Sequence, residues 1–203
     1  MSRKIPILIH IDVEPGCLFI DPGKPLPWDA YERAYRYFTA LRSQLTESRG
    51  APAHFSWIFR TDPQIALTYG ATTWPITQYG QSVEVCVGHG EDIGLHVPAY
   101  RWSPEHGNWV VDFGNSEWVE HYVRTAIEAY RQALGRDCRC FSFGDRWVSD
   151  AALDLLERLG IRFELIVGPG QKGNSYVSSG PSLYRVVAQL CRSPSGAVSP
   201  VKS

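Results

Sequence analysis

The sequence predicts an α/β fold built on a parallel sheet. Extended and helical patterns alternate along most of the chain, which is the order that βαβ units produce. The opening ILIHIDVEPG (7–16) is a strand rich in branched aliphatics, and two later apolar helical patterns close on a glycine (Gly50, Gly160). At 203 residues, with 44% hydrophobic and 20% charged residues, the chain has the length and composition of one globular domain with a real core.

Within the first strand, successive side chains point to opposite faces. Ile7, Ile9, Ile11 and Val13 therefore share one face, and His10, Asp12 and Glu14 share the other, crowded toward the Pro15-Gly16 turn. Buried carboxylates are costly unless paired, hydrogen-bonded or bound to a cation. The C-terminal ends of parallel strands are where α/β sites form. A strand end whose acids simply reach solvent is the plain alternative.

Asp29 and Glu32 resemble a capping box, opening a helix with Tyr31, Ala34, Phe38, Leu41 and Leu45 inward and Gly50 as its stop. HFSWIFR (54–60) is the second strand, separating His54, Ser56 and Arg60 from Phe55, Trp57 and Phe59. Residues 62–88 read as a weaker, broken helix, and EDIGLH (91–96) as a strand ending on a histidine. A long Pro/Gly/Trp/Asn-rich loop spans 97–115, with a small hairpin at NWVVDF. Ser116 caps a helix through Leu134 that buries Trp118, Tyr122, Ile127 and Tyr130. CRCFSF (138–143) is a strand, GDRW (144–147) a turn, Ser149–Leu159 a helix, and RFELIV (162–167) the last clear strand. Beyond it, residues 171–203 are a Gly/Ser/Pro-rich tail expected to order poorly, with SLYRVVAQLC its single candidate element.

Composition narrows function. A net charge of −1 leaves no basic footprint for nucleic acid and no polybasic membrane signal, and no apolar run approaches a membrane span. MSRKIPILIHID imitates a signal peptide, but His10 and Asp12 interrupt it and no small-residue cleavage site follows, so it reads as the first strand. The five cysteines form no CxxC pair, and reduced thiols of a cytoplasmic protein are expected, with Cys138 and Cys140 buried and structural.

The polar strand ends collect into one set: His10, Asp12 and Glu14; Arg60 and Asp62; His96; Asp145, Arg146 and Trp147. Imidazole with carboxylates suits zinc or a similar divalent ion, and a second carboxylate can act as general base on a bound water. His54, His89, His106 and His121 are read as surface or structural residues.

IHIDVEPG, GEDIGLH and FSFGDRWVSDAALDLLERLGIRFELIVGPG resemble, in order and spacing, three motifs of the polysaccharide deacetylase (NodB-like carbohydrate esterase) superfamily, in its branch with a D-x-E first motif. The resemblance covers about 1–170. It implies a NodB-like deformed (β/α) barrel, incomplete at its C-terminal side, and a divalent metal, zinc by preference. The activity it implies is hydrolysis of an N-acyl group on a carbohydrate. By position, Asp12 matches the general base, Glu14 and His96 match metal ligands with His10 as a further one, and Arg146 stands in for a bracing arginine. Arg60, Trp102 and Trp147 are the expected substrate contacts.

The departures from the pattern matter equally. The VPAYRW that follows His96 holds no second histidine, Ser142 holds the usual place of the bracing arginine, and no histidine occurs after His121. Two protein ligands hold zinc weakly, and a missing proton donor costs about a hundredfold or more in rate. An impaired deacetylase and a pseudoenzyme that keeps the fold and a sugar-sized cleft therefore both stand. Two other readings remain open: a metal-dependent nucleotide-sugar glycosyltransferase using the D-x-E, and a carbohydrate-binding module using Trp28, Trp102, Trp109 and Trp147 as platforms.

Overall fold

The computed structural model describes residues 8–16, 19–50, 52–144 and 147–165. The elements are β1 (His10–Val13), α1 (Asp29–Arg49), β2 (Ser56–Arg60), α2 (Pro63–Tyr69), α3 (Trp74–Gln78), α4 (Gly80–Gly88) and β3 (Asp92–His96). They continue as β4 (Tyr100–Ser103), β5 (Asn108–Val111), α5 (Ser116–Leu134), β6 (Cys140–Ser142), α6 (Asp150–Arg158) and β7 (Phe163–Glu164). Five strands form one parallel sheet in the order β1-β2-β3-β6-β7. The fold is mixed α/β with a parallel sheet, as the alternation predicts.

Strand order follows chain order without a reversal. Crossovers between parallel strands are right-handed as a rule, so winding in one direction stacks every crossover helix on the same face. The core bears this out. Ile11, Val13, Trp57, Phe59, Ile93, Leu95 and Phe141 from one face of the sheet pack with Tyr31, Val83, Val123, Ile127, Leu155 and Leu156 from the helices. Ile58 and Cys140, on the opposite face, are buried but lie outside that cluster. A doubly wound sheet reverses its strand order, and this sheet does not reverse among the described residues. Among the described residues the sheet is open, with β1 and β7 at its edges. The expected barrel completion and the 171–203 tail lie outside the described residues.

Several local expectations are corrected. Trp28, not Asp29, stands at the α1 cap and makes no side-chain cap bond; Asp29 and Glu32 instead lie in the first turn, where acids suit the helix dipole. Asn115 caps α5, its side chain accepting from the Trp118 N–H, so Ser116 is the first helical residue. The 62–88 segment is three short helices. The 97–115 loop holds a longer hairpin than NWVVDF alone, pairing Tyr100–Ser103 with Asn108–Val111. Ser149 does cap α6, its Oγ accepting from the Ala152 N–H.

At the N-terminal end of the sheet, α1 is tied to the start of β3 by a buried ion pair. Arg42 Nε lies 2.9 Å from Glu91 Oε1, and Trp57 Nε1 donates to Glu91 Oε2 at 2.8 Å. Removing one partner of such a pair strands the other charge in the core. Glu91→Gln should therefore lower stability by about 3 kcal/mol in urea unfolding. The Arg42→Met/Glu91→Gln double variant should recover more than half of that loss.

Candidate functional site

In-register pairing aligns residues from different strands. Asp12, Ile58 and Gly94 form one rung on the face away from the helices. One turn of the pleat further, Arg60, His96 and Ser142 form the next rung on that face, at the C-terminal ends of β2, β3 and β6. Glu14 follows β1 immediately and reaches the same rung, for its Oε2 lies 3.5 Å from Arg60 Nη1 and 3.8 Å from His96 Nε2.

Arg60 organises this cluster. It is fully buried, and its Nε and Nη2 donate to Asp62 Oδ2 at 2.9 and 2.8 Å. Asp62, equally buried, also caps α2, its Oδ1 accepting from the Ile65 N–H at 3.0 Å. Burial pushes the Asp62 carboxyl up, opposed by Arg60 and by the Ile65 and Gln64 N–H groups. Tyr122, from α5, is buried within electrostatic reach of the pair and donates to the Pro98 carbonyl at 3.3 Å.

His96 is held neutral. Burial chiefly, then Arg60 and His10, lower its pKa to about 3. Its Nδ1 has no hydrogen-bond partner among the described residues. Gly144 backs onto the ring at φ +77: a Cβ there would stand 2.9 Å from His96 Cε1. Asp12 reaches solvent as a residue, yet the protein around its carboxyl raises its pKa by desolvation, with His10 pulling it back down.

The structure thus brings Glu14, Arg60 and His96 together, with Asp12 one rung below on the same face and exposed His10 one rung below that. Arg146 and Asp145 lie outside the described residues. Two expected substrate contacts, Arg60 and Trp147, are buried. Arg60 has no exposed surface and is committed to two carboxylates. Trp147 is a core residue, stacked on Phe113 at 4.5 Å. Trp28 and Trp109 are buried too, which leaves Trp102, half-buried against Trp109, as the lone candidate among the four platforms. His54, His89, His106 and His121 are all exposed. Sequence reasoning missed Tyr122 as a neighbour of the buried charges. It also missed the role of Asp62, although the Asp-Pro at a helix start signals a cap.

Two donors about 3.8 Å apart, one a neutral imidazole, could share one ion. A catalytic zinc takes three protein ligands, and the nitrogen that does not bind it usually donates to a second partner. Among the described residues no group of three His, Cys, Asp or Glu side chains is placed to hold an ion. Another neighbour of Glu14, at 3.5 Å, is the Arg60 guanidinium, which is not a ligand. The described residues do not fit a three-ligand zinc site.

The sequence matches no protein-family model and no curated protein. Solved structures with a similar backbone path include a CE4 family pseudoenzyme from Bacillus anthracis, at 9% identity and a TM-score of 0.45. That likeness covers 78% of this chain and 42% of the other, so the chain spans under half the length of that protein. IcaB from Ammonifex degensii is 12% identical, with a TM-score of 0.37 over 90% of this chain and 95% of its own. These are partial overlaps of backbone path, and the residues of this chain carry the functional case by themselves. No helix among the described residues is long and apolar enough to cross a membrane.

His96 also gives the fold a pH dependence. Its folded pKa lies below the ordinary 6.5, so from about pH 6.5 down to about 3 the unfolded chain binds the proton more readily. Its contribution to stability is complete above that window and is lost as pH falls through it, on the order of several kcal/mol in full. His96→Gln should flatten this acid limb in melting temperature measured against pH, relative to the parent chain.

Proposed function

We propose that the chain is a carbohydrate deacetylase-like protein of NodB-like lineage that receives an N-acylated sugar at the C-terminal strand ends, with hydrolysis impaired. The observation that carries this reading is the rung of Glu14, Arg60, His96 and Ser142, with Asp12 below it on the same face of a sheet wound in one direction. The motif resemblance supports it independently.

Within this reading Asp12 is the general base. It is exposed, and a pKa raised by desolvation makes its carboxylate a better proton acceptor. Water attacks the acyl carbonyl as Asp12 takes its proton, and the amine must leave with a proton of its own. His10, two residues back on the same face, is the imidazole placed to supply it. Glu14 and His96 hold the wall of the site, and Arg60 fixes the charge of Glu14. No divalent ion enters these steps, because the described residues do not provide its ligands. Stabilisation of the oxyanion, often the largest contribution to such reactions, then falls short, and slow turnover follows.

The test is a titration of the full chain with N-acetylated chitooligosaccharide, followed by thermal shift and acetate release. Saturable stabilisation by the sugar is expected, with turnover far below about one per second. Asp12→Asn should cut the residual release by about a hundredfold while leaving the sugar-induced shift in place. Absence of any sugar binding would sink the reading, and a shift with UDP-sugar alone would move the chain to the glycosyltransferase class.

A further inference from the structure

We propose that Arg60 is the resident cation of this site, standing where a divalent ion's charge would otherwise be needed. The inference rests on the strand-end rung being the functional site, and it concerns what holds Glu14. Three observations carry it. Arg60 is 0% exposed, so its charge must be matched by protein. Asp62 matches it from one side through two charge-assisted hydrogen bonds, and α2 holds Asp62 in place by taking it as its cap. The remaining terminal nitrogen, Nη1, faces Glu14 Oε2, the same oxygen that lies nearest His96 Nε2.

The geometry makes Glu14 an arginine-compensated carboxylate. A divalent ion bound between Glu14 and His96 would sit within a few ångströms of a guanidinium that cannot lose its proton or swing into water. Like-charge repulsion of that kind, at a partly buried position with two donors among the described residues, disfavours uptake strongly. Arg60 and the ion are therefore alternatives. In this chain the arginine is covalently present at every moment, pinned by Asp62.

Thermal melts of the full chain and of Glu14→Gln, each in EDTA and in zinc at about tenfold molar excess, test this. The parent should melt at the same temperature in both media. Glu14→Gln, which leaves Nη1 without its second carboxylate, should melt lower by roughly several degrees, and equally in both. A zinc-dependent stabilisation of the parent that disappears in Glu14→Gln would overturn the proposal. Equilibrium dialysis against zinc gives the complementary readout. Arg60→Met/Asp62→Asn, which removes both members of the buried pair together so that neither is stranded, should bind zinc at least about tenfold more tightly than the parent. That gain should vanish on adding Glu14→Gln. A folded double variant with no gain would equally overturn the proposal, and if it does not fold, the melts decide alone. Zinc uptake through Glu14 would leave sugar binding intact, whereas failure to bind sugar would leave the melts unchanged, so the two readings fail separately.

Discussion

A parallel sheet wound in a single direction has two unlike faces. Each right-handed crossover lays its helix on the same side, so one face becomes the floor of a helical layer and must be apolar along its whole length. Ile11, Val13, Trp57, Phe59, Ile93, Leu95 and Phe141 answer that demand with hardly a polar atom among them. The other face is relieved of it. His10, Asp12, Ser56, Arg60, His96 and Ser142 all alternate with core residues on their own strands, and register alone gathers them.

Polar residues on that second face still have to be reconciled with burial. The helix-covered face meets its own case at the bottom of the sheet with a closed pair, Arg42 with Glu91, to which the Trp57 indole donates. At the top the arrangement is graded. Arg60 and Asp62 are sealed, His96 is nearly so, Glu14 is a third exposed, and Asp12 meets water. Exposure thus rises outward from a fixed internal pair. Local structure sets the gradient, since Asp62 is placed by the helix start it caps and Arg60 follows Asp62.

Much of this was legible in the sequence because it depends on periodicity. Alternation in ILIHIDVEPG and HFSWIFR fixes which residues share a face, and the sheet keeps that division. The helix stops at Gly50 and Gly135 follow from left-handed backbone, φ 64 and 63, that glycine accepts without strain. What was not legible depends on contacts distant in sequence. Nothing in the composition of Trp147 distinguishes a sugar platform from a ring stacked on Phe113, because an indole serves both. Arg60 likewise looks like a strand-end substrate group until the reach of Glu14, 46 positions earlier in the chain by the numbering, is known. The Asn115-Ser116 ambiguity is of another sort: both residues cap well, and the choice falls to backbone geometry.

Gly94 lies in the middle of β3, one rung below His96, where an added Cβ would come within 2.6 Å of the Cys140 carbonyl and 2.8 Å of Ile58. The position tolerates no side chain because the Cys140 backbone and the Cys140 and Ile58 side chains already fill that space, and this packing persists whatever chemistry the strand end performs. Selection on this strand is therefore split over three residues. Gly94 answers to folding and His96, under the proposed function, to the site, so across descendants of a common ancestor the two can diverge independently. A lineage that abandons catalysis keeps the glycine and lets the histidine drift, and β3 then carries a record of which constraint was released first.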